Sequence, residues 1–336
     1  MNESGLDGRV RRADRSLAVV TENLSVVYGG FTAVDRVSIQ VERGSICGLL
    51  GPNGAGKTSM IRALTTIVPA AEGTATIVGH PLTDPVAVRS NIGVLPESNG
   101  YPGAQTALTY LRFYGQLYGM DVADAEGRAL DLLQQFGLSN VPSRISTFSR
   151  GMRQRLGLAR ALIHDPAVLF LDEPTLGLDP AGKEEIMVEL ARLAVERGTT
   201  IFLCTHLLDE VERICDQVAI MNRGRVVAEG TVDEIINSSG ADSFARIRVR
   251  PEAIPLADEV LRGTEAARAI SFDNSRPGDL IVTIDSDHGS AATTLRALLD
   301  AGVEPQAFDF RGARLSDAFM AITSGRTDDI KEGVGS

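Results

Sequence analysis

The chain has 336 residues, 43% of them hydrophobic, enough for one large domain and a smaller one with cores of their own. A formal net charge of −11 argues against a nucleic-acid-binding surface. No window approaches the ~20 apolar residues of a membrane span. Three cysteines (Cys47, Cys204, Cys215) cannot close a disulfide set and read as small buried hydrophobes in a reducing compartment.

Residues 1–17 are polar and Arg-rich without an apolar h-region, which predicts a flexible arm. Strands are expected at Leu17–Thr21 and Val37–Val41, on either side of Gly29-Gly30, and again at Ser45–Leu50. The octet Gly51-Pro-Asn-Gly-Ala-Gly-Lys-Thr58 follows at once, and a helix starts from Ser59. Short strands and turns are expected over 74–95, then helices over 106–120, 123–136 and 149–163. The apolar run 167–171, a helix over 183–197, the strand 199–204, a helix over 208–215 and a hairpin across Asn222-Arg-Gly224 complete the pattern. Alternating buried strands and helices define an α/β domain with a mainly parallel sheet. After Asn237-Ser-Ser-Gly240 the pattern restarts as β-α-β-β-α-β, the ferredoxin-like order, with a short helix over 316–322 and a polar tail. That second domain carries no recognisable chemistry.

The octet is G-x-x-x-x-G-K-T, the phosphate-binding loop between a strand and a helix. Its backbone amides can face phosphate oxygens, and the helix N-terminus adds partial positive charge. Lys57 would reach the β/γ-phosphates and the Thr58 hydroxyl would ligate Mg²⁺. The apolar run Val168–Leu171 ends in Asp172-Glu173. A strand buried on both faces delivers Asp172 to the carboxyl edge of the sheet, where α/β proteins bind ligands. Asp172 suits the Mg²⁺-binding carboxylate, and Glu173 could orient or deprotonate an attacking water. Of 33 cationic residues only three are lysines, at 57, 183 and 331.

Across residues 18–235 these motifs resemble the ATP-binding subunit of an ABC transporter. Phe148-Ser-Arg-Gly-Met-Arg-Gln154 resembles the signature motif, Leu178-Asp179 the D-loop, His206 the switch histidine, and Tyr28 the aromatic that stacks on adenine. The resemblance implies an ABC cassette (a RecA-like parallel sheet, an antiparallel β subdomain and a helical subdomain at about 98–163) over residues 18–236. The ferredoxin-like α+β accessory domain would then span 241–323 and the tail 324–336. It also implies ATP and Mg²⁺ as ligands. The nucleotide would be held by Tyr28, by Gly51, Pro52, Asn53, Gly54, Ala55, Gly56, Lys57, Thr58 and Ser59, and by Asp179. Phe148, Ser149, Arg150, Gly151 and Met152 would reach the nucleotide of a partner copy in an ATP sandwich. Glu173 and His206 would be catalytic, and Thr58, Asp172 and Glu97 would hold the metal, Glu97 directly or through water.

Two departures from the common pattern point to a branch. The signature reads Phe-Ser-Arg-Gly-Met rather than Leu-Ser-Gly-Gly-Gln, and Glu97 stands where Gln is usual. Both features, and Leu315-Ser-Asp-Ala-Phe319 near the C-terminus, resemble the ABC-2 type exporters, drug and antibiotic self-resistance exporters among them. That implies a separate ABC-2 type permease as partner, no nucleic acid, and a place on the cytoplasmic face of the membrane through the permease alone. Neither the cargo nor the choice between homodimer and heterodimer follows from the sequence. Two other readings stand beside the exporter ATPase: a soluble ABC ATPase acting outside transport, and an importer ATPase. Arg153, Arg155 and Arg160 read as a solvated basic face. Tyr101, Tyr110, Tyr114 and Tyr118, with Phe113, read as packing of a helical subdomain, with some left exposed for docking.

Overall fold

The computed structural model describes residues 17–97, 100–139, 141, 144–240, 243–272, 278–284 and 288–324. Apart from Leu17 and Ser324, the expected arm and polar tail lie outside the described residues. The chain divides into two compact units, 1–229 and 230–336.

The first unit opens with β1 (Leu17–Tyr28), β2 (Phe31–Val37), β3 (Gln40–Glu42) and β4 (Ile46–Leu50). Gly29 and Gly30 both have positive φ and turn β1 into β2, with Tyr28 opposite Phe31. The first expected strand is therefore longer than its apolar start, because its outer half pairs with β2. The phosphate loop leads into α1 (Lys57–Leu64), followed by β5 (Glu72–Ile77), β6 (His80–Pro81), α2 (Pro85–Asn91) and β7 (Ile92–Leu95). Helix α2 replaces the turns expected there. Asp84 caps it by accepting from the Ala87 amide, and Pro85 opens its first turn.

Next come α3 (Ala107–Leu117), α4 (Val122–Gln135), α5 (Arg150–Ala161), β8 (Val168–Asp172), α6 (Pro180–Arg197) and β9 (Thr200–Cys204). Then α7 (Leu208–Ile214), β10 (Gln217–Asn222) and β11 (Arg225–Gly230) follow. Strands β2, β1, β5 and β6 make an antiparallel sheet with β3 also on β1. The central sheet runs β11-β10-β4-β9-β8-β7, and every pair from β10 to β7 is parallel.

Strands β4, β8 and β9 are buried at all five positions, as a parallel sheet covered on both faces requires. Their side chains alternate between two cores. Cys47, Leu49, Val168, Phe170, Phe202 and Cys204 pack with Met60 and Leu64 of α1 and with the antiparallel sheet. Ile46, Leu169, Leu171, Ile201 and Leu203 pack with Leu156 of α5 and Leu190 of α6. Cys47 and Cys204 fill space as expected, and burial pushes both thiols well above their ordinary range, leaving them unreactive.

Tyr110 is buried among α3, α4 and α5, with Tyr101 and Tyr114 edge-on at 5.7 and 4.9 Å. Phe113 and Tyr118 stay substantially exposed. Arg160 departs from the expected solvated face. Its guanidinium donates to the Val94 carbonyl at 2.9 Å and to the Tyr110 hydroxyl at 3.3 Å. Arg155 pairs with Glu185 of α6.

The second unit begins with α8 (Val232–Ser238), where a sequence reading places the end of the first domain. A reciprocal capping box between Thr231 and Glu234 sets its start. It continues with β12 (Ser243–Arg248), α9 (Ile254–Arg262), β13 (Ala267–Phe272), β14 (Asp279–Ile284), α10 (His288–Asp300), β15 (Ala307–Arg311) and α11 (Leu315–Thr323). The strand order β13-β14-β12-β15, all antiparallel, is the ferredoxin-like sheet. Ala245, Ile247, Leu280, Val282 and Ile284 meet Ala257, Leu261 and Leu298 in a core of their own, and α8 packs on α11.

Candidate functional site

Three motifs far apart in the chain meet at the carboxyl edge of the parallel sheet. The phosphate loop leaves β4, Glu173 follows β8, and Thr205-His206 follows β9. They surround a cavity of about 440 Å³. Its wall comprises 53–59 of the loop and α1, with Glu97, Asp172, Glu173, His206, Leu176, Phe31 and Ala33. Of the expected nucleotide-loop residues, Gly51 and Pro52 are not part of this wall. Gly56 caps α1 at φ 106°, and a Cβ there would stand 2.3 Å from the Ala33 carbonyl, so only glycine lets the loop pass.

Lys57 is buried at the first turn of α1. Its Nζ donates to the carbonyls of Gly51 at 2.6 Å and Pro52 at 3.2 Å, which holds the ammonium under the loop. The Thr58 hydroxyl donates to Asp172 Oδ2 at 3.3 Å. Burial raises the Asp172 carboxyl above the usual range. Hydrogen bonds from Cys204 and Thr58 oppose that rise, and the charges of Glu97 and Glu173 add to it. A hydroxyl beside gathered carboxylates is a hard-oxygen donor set with uncompensated negative charge, which fits Mg²⁺. Among the described residues no trio of His, Cys, Asp or Glu side chains forms a metal cage.

Glu173 sits at φ 52°, a strained value for a residue with a side chain. Its amide donates to the Cys204 carbonyl at 2.8 Å, and Gln154 of α5 donates to its carbonyl at 3.3 Å. Its carboxylate is 12% exposed and is held from one side. Oε2 accepts from the Thr205 hydroxyl at 3.0 Å, and Oε1 accepts from the His206 amide at 3.1 Å. His206 Nδ1 stands 2.7 Å from the same Oε1, while the imidazole is 53% exposed.

The signature residues are elsewhere. None of 148–152 lines this cavity. Phe148 is buried as an anchor, and exposed Ser149 caps α5 by accepting from the Met152 amide at 3.2 Å. Gly151 and Arg150 lie against the D-loop: a Cβ on Gly151 would be 3.1 Å from Leu178, and one on Gly177 2.3 Å from Arg150. Asp179 caps α6 by accepting from the Gly182 amide. Tyr28 is not on the cavity wall either. Phe31, opposite it across the turn and 68% exposed, is. Sequence reasoning passed over Phe31, although an aromatic directly after Gly29-Gly30 was the available signal. It also gave Gln154, the last residue of the signature run, no role of its own.

Fold and site together define a phosphate-loop ATPase with an acidic strand end and a histidine facing one cavity. The ABC transporter family model matches residues 34–176. The daunorubicin/doxorubicin resistance ATP-binding protein of Streptomyces peucetius is 36% identical over 93% of this chain and 94% of its own length. The Nod factor export ATP-binding protein I of Cupriavidus metallidurans is 38% identical over 90% and 95%. The linearmycin resistance ATP-binding protein of Bacillus subtilis is 34% identical over 68% and 74%. A solved ATP-binding subunit of an ABC transporter superposes with a TM-score of 0.62 at 32% identity, covering 66% of this chain and 93% of that one. A nucleotide-free ABC cassette gives 0.59 at 26%, over 66% and 94%. The chain belongs to the ABC transporter ATP-binding family and is an ABC-type ATP hydrolase.

Proposed function

We propose that this chain powers export through a separate ABC-2 type membrane permease, pairing with a second copy across two ATP molecules. The observation that supports pairing is the separation of the signature from the cavity. Lys57, Thr58, Asp172, Glu173 and His206 converge, whereas Ser149 and Gly151 stand outside. Each site then lacks the donors that the α5 N-terminus of another copy would bring to a terminal phosphate.

In this reading the loop amides and Lys57 cradle the β- and γ-phosphates, and Phe31 and Tyr28 offer the base a stacking surface. Thr58 and Asp172 would hold Mg²⁺ with Glu97 in support, and the ion would supply charge neutralisation at the phosphates. Glu173 orients or deprotonates the attacking water from a carboxylate already fixed by Thr205 and His206. His206 reaches the γ-phosphate from its exposed edge and Asp179 faces the partner copy. The accessory unit regulates or steadies the pair.

No helix among the described residues is long and apolar enough to cross a membrane. In this reading the chain works against a permease at the cytoplasmic face of the membrane. The names of its relatives support a resistance exporter with a drug-like cargo. The test is co-expression with a candidate ABC-2 type permease, sought first in the adjacent reading frame. ATP-dependent efflux of such a compound is expected, and a Lys57→Ala chain should abolish it. Efflux that persists with Lys57→Ala contradicts the proposal.

A further inference from the structure

Behind the proposed catalytic pair lies a second cluster, with Thr175 and Glu210 buried and Lys183 half-buried, that the site as described does not use. Thr175 is 0% exposed and Glu210 8%. The Thr175 hydroxyl lies 2.9 Å from Glu210 Oε1 and 2.8 Å from Oε2, donating its one proton into the fork. Lys183 Nζ stands 3.5 Å from Oε1. A buried carboxylate is costly unless it is paired and hydrogen-bonded, and here one hydroxyl and one ammonium do both.

The three residues belong to three different motif segments. Thr175 is two residues past Glu173, inside a turn closed by Leu176 N–H to the Glu173 carbonyl and Leu178 N–H to the Thr175 carbonyl. Lys183 is in the first turns of α6, the helix capped by Asp179. Glu210 is on α7, which starts two residues after His206. Arg213, one turn along α7, ties to Glu184 of α6 at 2.6 Å. Glu173 and His206 already touch at 2.7 Å. The segments that carry them are thus cross-linked twice, once at the cavity and once beneath it.

We propose that Glu210 is a positioning residue of the ATPase. Through Thr175 it fixes the spacing between the end of β8 and the start of α7, so that Glu173 and His206 face one phosphate in register. Through Lys183 it ties that spacing to the D-loop helix. A compact ammonium suits this place, since it satisfies one oxygen without the wide fork of a guanidinium. The inference rests on the catalytic reading of Glu173.

The test measures ATP affinity, kcat and KM on the full chain. Thr175→Val keeps the shape and removes the donor. It is expected to lower kcat on the order of 10-fold or more, the scale on which a small misplacement of a reacting group acts, with ATP affinity within about threefold. Thr175→Ser, which keeps the hydroxyl, should restore kcat to within about twofold. If Thr175→Val does not fold, Glu210→Asp, which withdraws the carboxylate by one methylene, takes its place with the same expected split. A second readout is coupling: added to Glu173→Gln, the same change should cost almost nothing further, because both act through one step. Unchanged kcat in the donor-less or shortened variant, equal losses in Thr175→Ser and Thr175→Val, or full additivity with Glu173→Gln would overturn the proposal. Should Glu173→Gln itself turn over like wild type, the catalytic reading fails instead, and the two failures are told apart by that single variant.

Discussion

The two ends of the parallel sheet make an instructive contrast. The amino end has the larger cavity, about 890 Å³, lined by Asn91, Arg128, His164, Asp165, Arg197 and Thr199 among others. The carboxyl end has about 440 Å³ and gathers Lys57, Thr58, Asp172, Glu173 and His206. The difference lies in what the chain presents at each end. At the carboxyl end α1 begins in a glycine loop, so amides and positive partial charge face the opening. At the amino end α2, α5 and α6 finish, so carbonyls and negative partial charge gather there. Arg128 and Arg197 answer that charge: Arg128 donates to the Leu162 carbonyl at 3.1 Å, and both approach Asp165. One cavity is built to receive an anion and the other is already neutralised by its own side chains. Volume is therefore the wrong guide to function in this fold.

The contrast breaks if residues at the two ends prove interchangeable in their effects. The largest expected effect is at the carboxyl end. Glu173→Gln should retain ATP binding and lose on the order of 10²-fold or more in turnover, measured by phosphate release. Turnover near wild type removes Glu173 from catalysis. Lys57→Ala should weaken ATP binding by about 10-fold or more, since the one cation under the loop is gone, and equilibrium titration with labelled ATP reads this directly.

At the amino end the expected effect falls on stability. His164 stacks on Tyr118 at 3.7 Å, and its Nε2 lies 3.0 Å from the Ile92 carbonyl. Burial pushes its pKa down to about 4 from 6.5, against a smaller opposing pull from that carbonyl. The unfolded chain then takes up a proton that the folded chain refuses between pH 6.5 and 4. Stability from this group is complete above 6.5 and is lost as pH falls through that window. After discounting for partial exposure the loss is about 1–2 kcal/mol. Urea midpoints from pH 7 to 4.5 should fall less steeply in His164→Gln, with ATP affinity at pH 7 unchanged. An identical pH slope, or lost ATP affinity, contradicts the division of labour. The smallest effect concerns the second unit. A chain ending at Glu229 should fold and bind ATP as the full chain does, because no described residue of the second unit is among those lining the cavity at the carboxyl end. A folded truncation that fails to bind ATP contradicts the independence of the first unit.

How much of this was legible in the sequence follows from how local each signal is. The phosphate loop, Asp172-Glu173 and His206 each sit at the end of an apolar strand, so a contiguous stretch announces both residue and place. The ferredoxin-like order was legible for the same reason, through alternating periodicity. Helix α2 was not, because seven residues hold too little periodicity and its evidence was only the Asp84-Pro85 start. Helix α8 was hidden by the Ser/Gly run after it, although Thr231 and Glu234 spelled its cap. Arg160 read as surface because a guanidinium can be buried only by partners such as Val94 and Tyr110, 66 and 50 residues away. The Thr175–Glu210 pair spans 35 residues and two helices, and no spacing rule reaches that far.

The central claim is that each site is completed by the signature of another copy. Light scattering on Glu173→Gln, with and without ATP, tests it most directly. The account predicts one chain mass without ATP and a doubled mass with it, and a return to one mass when Ser149→Arg is added. A particle that binds ATP yet keeps a single chain mass at tens of micromolar, or one that doubles regardless of Ser149, would contradict it.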